Sequence, residues 1–136
     1  MKKRVKKRIP KVLNSEQIEK LLSVAKPTSF TKIRNRAILS TFVLGGLRVG
    51  ELTNLGVSDV DLKNGWIRIR KGKSGQRDVP MSLKLEAFLT AWDSLRPKHS
   101  RFFFTTHKGK KIFTSYIRKM VKEYGKKAGL DIHPHL

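Results

Sequence analysis

The chain has 136 residues, with 31 Lys and Arg against 10 Asp and Glu, no cysteine, and a formal net charge of +21. That length suits one hydrophobic core, and the absence of cysteine rules out disulfides and thiolate metal sites and agrees with a cytoplasmic protein. No run approaches the ~20 apolar residues of a membrane-spanning helix, and no segment reads as a basic amphipathic helix for an anionic membrane, so a field this positive points to nucleic acid.

Residues 1–11 read as a basic arm or linker. Six of the first eight are Lys or Arg, and like charges at that density keep a segment extended until a polyanion neutralises it. Ile9-Pro10-Lys11 interrupts before any apolar signal core can form. From Asn14 the pattern is helical: Asn14 or Ser15 can cap, Gln17 falls three after Asn14, and Ile18, Leu21, Leu22 and Ala25 repeat at helical spacing until Pro27. A second helix is expected from about Thr31 to Leu44. Its apolar arc, from Ile33 through Ala37, Ile38, Leu39 and Phe42 to Leu44, is wide enough to require a central, mostly buried position. Gly45-Gly46 breaks it, and a short helix from Arg48 to Leu55 follows.

The period then falls to two. Trp66-Ile67-Arg68-Ile69-Arg70 alternates after Asn64-Gly65, a pair suited to closing a tight hairpin. A turn over Gly72 to Gln76 and a strand from Arg77 to Met81 complete a small antiparallel sheet between about Val60 and Pro80. Helical spacing resumes with Leu85, Phe88, Trp92 and Leu95 up to Pro97. Arg101 to Thr105 reads as a short extended piece. Ile117, Met120, Val121, Tyr124 and Ala128 mark a last helix closed by Gly129, and the tail from Leu130 has no regular pattern. The expected fold is mainly α with a small three-stranded antiparallel sheet.

Several residues suit the handling of a phosphodiester. Arg48 opens a helix whose Val49 and Leu52 face inward, and there a two-pronged guanidinium and free backbone N–H groups can hold a phosphate together. Glu51 is assigned to orienting Arg48 or its backbone. Lys73 sits in the turn between two strands, where its ammonium can swing into a groove; Lys71 and Arg77 compete for that role on the same hairpin. Gly72-Lys73-Ser74 is not a nucleotide-binding loop, because Ile67 stands where that motif needs glycine and no helix follows the lysine. His133 and His135 lack the companions of a zinc site, so His135 reads as a neutral hydrogen-bonding or proton-relaying histidine. Tyr116 and Tyr124, the only tyrosines, read as core or flank residues of the last helix. Lys119, Lys122, Lys126 and Lys127 offer that helix a basic face for DNA phosphates, which adds affinity but reads no sequence.

Three strings carry a family resemblance: GLRVGEL at 46–52, GKSGQRDVP at 72–80 and HPHL at 133–136. In this order they resemble the catalytic domain of the tyrosine recombinases, or phage-type integrases, of the Xer-like kind. The resemblance covers nearly all the chain after the arm. It implies that Arg48 clamps a scissile phosphate, that Lys73 gives a proton to the departing 5′ oxygen, and that His135 hydrogen-bonds the phosphoryl oxygens. Lys71, Arg77, Lys119, Lys122 and Lys126 are the expected DNA contacts. The implied reaction is transesterification through a 3′-phosphotyrosyl link, driven by positioned positive charge without cofactor, metal or nucleotide. Leu136 occupies the first x of the family's histidine–x–x–arginine motif, so the second arginine and the nucleophilic tyrosine are expected beyond it. Residues 12–136 therefore read as a partial catalytic domain, without the family's separate core-binding domain. The expected behaviour is binding of double-stranded DNA, with other protomers as possible companions there, but no completed cleavage. A non-catalytic DNA-binding regulator derived from a recombinase is the alternative.

Overall fold

A computed structural model of the protein describes residues 13–71 and 75–134, with the side chain of Lys71 left aside. The first helix, α1 (Ser15–Ser23), starts with a reciprocal cap. The Gln17 N–H donates to the Asn14 side chain at 2.8 Å, and the Asn14 N–H donates back to the Gln17 side chain at 2.9 Å. Leu21 and Leu22 turn inward from it, and Ala25 is buried just beyond its end. The second helix, α2 (Phe30–Leu44), is capped by Ser29, whose hydroxyl accepts the Lys32 N–H. It runs through the centre of the molecule, as its apolar arc requires: Ala37, Ile38 and Leu39 have no exposed surface. A short helix, α3 (Val49–Asn54), and a 3-10 turn over Val57–Asp59 lead into the sheet.

The sheet has strands β1 (Val60–Asp61), β2 (Trp66–Lys71) and β3 (Gly75–Pro80), antiparallel and in that order. Ile67 faces Val79 and Ile69 faces Arg77 across β2 and β3. Ile67 and Ile69 point into the core while Arg68 and Arg70 point out, which is the two-residue period seen in the sequence. The β1–β2 connection is looser than a two-residue hairpin. Asp61 pairs with Trp66, and the Asn64 backbone and side chain both donate to the Asp61 carboxylate. An Asx-type turn therefore does the work that Asn64-Gly65 alone was expected to do.

Two more helices, α4 (Leu83–Asp93) and α5 (Thr114–Lys127), complete the fold. Between them, Arg101 to Thr105 makes two isolated bridges, Gly56 with Phe102 and Thr105 with Lys111, and forms no strand. The reason is burial without alternation, since Phe103, Phe104 and Thr105 are all inside. Trp92 of α4 locks this segment by donating its indole N–H to the Phe103 carbonyl at 2.8 Å. Phe30 meets the Trp92 ring edge-on at 5.1 Å. Each large apolar side chain fully buried in this core contributes ~2 kcal/mol.

Candidate functional site

Arg48 is held by its neighbours and left free at its tip. Gly46 adopts a positive φ of 72°, which lets the chain leave α2 and turn into α3 within a few residues. Leu47, Val49 and Leu52 are buried on all sides of the arginine, so the backbone is anchored while the side chain is exposed. The Arg48 N–H donates to Glu51 Oε1 at 2.9 Å. Among the described residues the Arg48 guanidinium has no hydrogen-bond or ionic partner.

Glu51 does a second job that links this helix to the sheet. Its carboxylate accepts Arg77 NH1 at 3.0 Å and NH2 at 3.3 Å, a two-pronged contact from β3. An exposed pair of this kind contributes up to ~1 kcal/mol, but it also fixes where the hairpin stands relative to α3. The other hairpin arginines are likewise occupied: Arg70 meets Asp59 at 2.6 Å and Arg68 meets Asp78 at 3.2 Å. Arg77, expected on a DNA phosphate, thus sits on a carboxylate here. Lys71 ends β2, with its backbone opposite Gly75. Lys73 and His135 lie outside the described residues, as does the basic arm.

Near the other end of the chain, Ile117, Met120, Val121 and Gly125 of α5 face the core. Lys119, Lys122 and Lys126 are exposed, a basic stripe at helical spacing. After α5 the chain folds back: the Leu130 N–H donates to the Gly125 carbonyl at 2.8 Å, and Ile132 packs against Gly125. The His133 ring lies 3.2 Å from the Asp131 carboxylate. Among the described residues no three acidic or histidine side chains converge in a metal-binding arrangement, and no helix is long and apolar enough to cross a membrane.

The sequence reading missed a cluster on α2. Arg34 is only 5% exposed and spends its donors on neutral acceptors. These are the Asn35 side chain at 3.0 and 3.1 Å, the Thr105 carbonyl at 3.2 Å and the Tyr116 hydroxyl at 2.8 Å. Asn35 also donates to the Tyr116 hydroxyl at 3.0 Å. Burial holds the Arg34 guanidinium below its ordinary range, with the contact to Tyr116 acting the other way. Tyr124 lines the same cavity, of about 270 Å³, and burial pushes its phenol above the usual tyrosine value. The available signal was a polar pair, Arg34-Asn35, between the apolar residues Ile33 and Ala37-Ile38 of a buried helix. Tyr116 of α5 is thus bonded to Arg34 and Asn35 of α2, and Tyr124 lies part-buried next to them.

The chain also has recognisable relatives. The family model described as Phage integrase family matches residues 11–136. Tyrosine recombinase XerA of Thermococcus kodakarensis is 35% identical over 136 residues, a match covering 97% of this chain and 47% of that protein. The crystal structure of XerA recombinase superposes with a TM-score of 0.79 at 32% identity, covering 96% of this chain and 48% of the other. A structure of XerH site-specific recombinase, bound to palindromic difH substrate in a post-cleavage complex, superposes at 0.74 with 27% identity, covering 91% of this chain and 38% of that one. The chain spans about half the length of the curated relatives it matches.

Proposed function

This chain belongs to the phage integrase family, and on that premise we propose that it forms part of the catalytic domain of a site-specific tyrosine recombinase. Its partner is double-stranded DNA, and further protomers assemble with it on that DNA. The observation that carries this reading is Arg48: an exposed guanidinium, unpartnered among the described residues, on a backbone fixed by Leu47, Val49, Leu52 and Glu51. Such a group costs little to reorganise when a phosphate arrives, which is the condition for electrostatic catalysis.

In the proposed reaction a tyrosine hydroxyl attacks the scissile phosphorus. The bond to the 5′ oxygen breaks, and a 3′-phosphotyrosyl link holds the energy for a second strand to reverse the step. Arg48 stabilises the charge on the non-bridging oxygens, and His135 hydrogen-bonds them and assists proton transfer. Lys73 delivers the proton that the departing 5′ oxygen needs, and the Glu51–Arg77 contact supports that assignment because it docks the lysine's hairpin against the arginine's helix. Lys71 and Arg77 line the same hairpin, and Lys119, Lys122 and Lys126 add phosphate contacts along α5. Tyr116 and Tyr124 are not the nucleophile, a reading supported by the two donors already pointed at the Tyr116 oxygen and by the partial burial of Tyr124.

A covalent-adduct assay on nicked duplex DNA tests this, using the chain alone and then the chain mixed with a tyrosine-bearing C-terminal segment of a relative. The expected result is an adduct only in the mixture, lost in Arg48→Ala, Lys73→Ala and His135→Ala. Intact DNA binding with no adduct in either case sinks the catalytic reading and leaves a DNA-binding regulator. An adduct from the chain alone would bring Tyr116 or Tyr124 back as nucleophile.

A further inference from the structure

The loop from Thr105 to Lys111 is held at several points, although His107, Lys108, Lys110 and Lys111 are exposed. The Thr106 N–H donates to the Lys110 carbonyl at 2.9 Å, and the Gly109 N–H donates to the Thr106 carbonyl at 3.0 Å. The Thr106 hydroxyl accepts the Lys110 N–H at 3.1 Å. Gly109 has a φ of 82° and sits so close to His99 that an added Cβ would lie 2.6 Å from the ring. The His107 ring stacks on Phe30 at 4.1 Å, and Lys111 donates to the Asn54 side chain at 2.6 Å.

Lys108, Lys110 and Lys111 project from this frame, and Arg101 lies beside it against the Phe102 ring at 4.7 Å. Among the described residues none of these four cations meets a carboxylate. This contrasts with Arg68, Arg70 and Arg77 on the hairpin, each of which does. A flexible surface lysine is ordinarily just solvated. Ordering the backbone beneath several of them costs conformational entropy, and that ordering is useful only if the cations must meet something in register.

We infer that the 105–111 tip, with Arg101, is a further phosphate-backbone contact for duplex DNA, separate from the phosphate held by Arg48; the inference rests on the DNA reading above. Lys111 is moored to Asn54, which stands six residues from Arg48 along one stretch of α3. At ~1.5 Å per residue that is ~9 Å, and phosphates of one strand advance ~3.4 Å per step along the duplex axis. The tip is therefore expected to meet a phosphate other than the one at Arg48. The contact supplies affinity and orientation and reads no bases.

The test is duplex binding across a salt series, paired with phosphate-ethylation interference. It compares the unaltered chain, K108E/K110E, and a control of equal charge change, K20E/K63E, on α1 and the β1–β2 turn. K108E/K110E is expected to weaken binding by ~10-fold or more and to lower the salt slope by about 2, the signature of two lost phosphate contacts. It should also abolish interference at phosphates flanking the Arg48 position while keeping that position. Gly109→Ala, which keeps every charge but distorts the tip, should blur the same flanking positions. If K108E/K110E matches the control in affinity, slope and interference, the tip makes no such contact. If the unaltered chain shows no salt-dependent binding to duplex at all, the DNA reading itself fails, which is a different result.

Discussion

Arg34 and Arg48 lie fourteen positions apart, one within α2 and the other at the start of α3, and they do opposite things. Arg34 is buried, bonded to an amide, a carbonyl and a phenol, and held below its ordinary pKa by desolvation. Arg48 is exposed, its backbone anchored and its guanidinium open. One arginine is consumed in joining α2 to α5 and to the 101–105 segment. The other is left exposed, and in the proposed function it meets a phosphate. What separates them is the solvent around the guanidinium, not the residue type or its position in a helix.

The contrast can be broken or sharpened by substitution. Arg34→Ala has the largest expected effect. It strands the buried Asn35 and Thr105 oxygens and removes one of the two donors to the Tyr116 hydroxyl, at ~3 kcal/mol of stability and a fall of ~10 °C in Tm. Thermal denaturation by circular dichroism reads this, and an unchanged Tm would mean that the buried cluster carries little. Arg48→Ala should do the reverse. Stability should stay within about 0.5 kcal/mol, whereas binding to a duplex should weaken by ~2 kcal/mol, or ~30-fold, with interference lost at one phosphate. A uniform loss at every phosphate would remove the distinction between a clamp and ordinary surface charge.

Tyr116→Phe removes one acceptor from the buried cluster and is expected to destabilise by ~1 kcal/mol. It should leave adduct formation in the mixed assay intact, and a loss there would identify Tyr116 as a nucleophile. The smallest effect is in pH dependence. Tyr124 has a folded pKa above its unfolded value, so its contribution to stability is complete below the ordinary tyrosine value of 10.0 and is lost as pH rises through the folded pKa. Tyr124→Phe should therefore flatten part of the fall in Tm at pH above about 10. A Tm profile parallel to that of the unaltered chain would show that burial does not shift this phenol.

Much of the fold was legible beforehand because it rests on periodicity. The Asn14 cap with its Gln17 partner, the broad apolar arc of α2 and the alternating Ile67 and Ile69 each reflect a local repeat that burial then satisfies. Arg48 was legible for the same reason: a glycine pair, a helix start and inward neighbours at Val49 and Leu52 are all short-range features. The Arg101–Thr105 segment was less so. Its Phe103 and Phe104 are buried consecutively, with the Trp92 indole of α4 bonded to the Phe103 carbonyl, a circumstance that neighbouring residues do not encode.

Helix starts and stops, the place of the sheet, the heavy positive charge and the arginine at a helix start can all be read from local sequence. Each depends on residues within a turn or two of one another and on composition. Packing is what brings Arg77 to Glu51, makes Arg34 a buried strut, and moors Lys111 of the 105–111 tip to Asn54 of α3. Those outcomes join residues from 26 to 82 positions apart, and burial, hydrogen-bond geometry and charge pairing at such separations are set by how the elements pack.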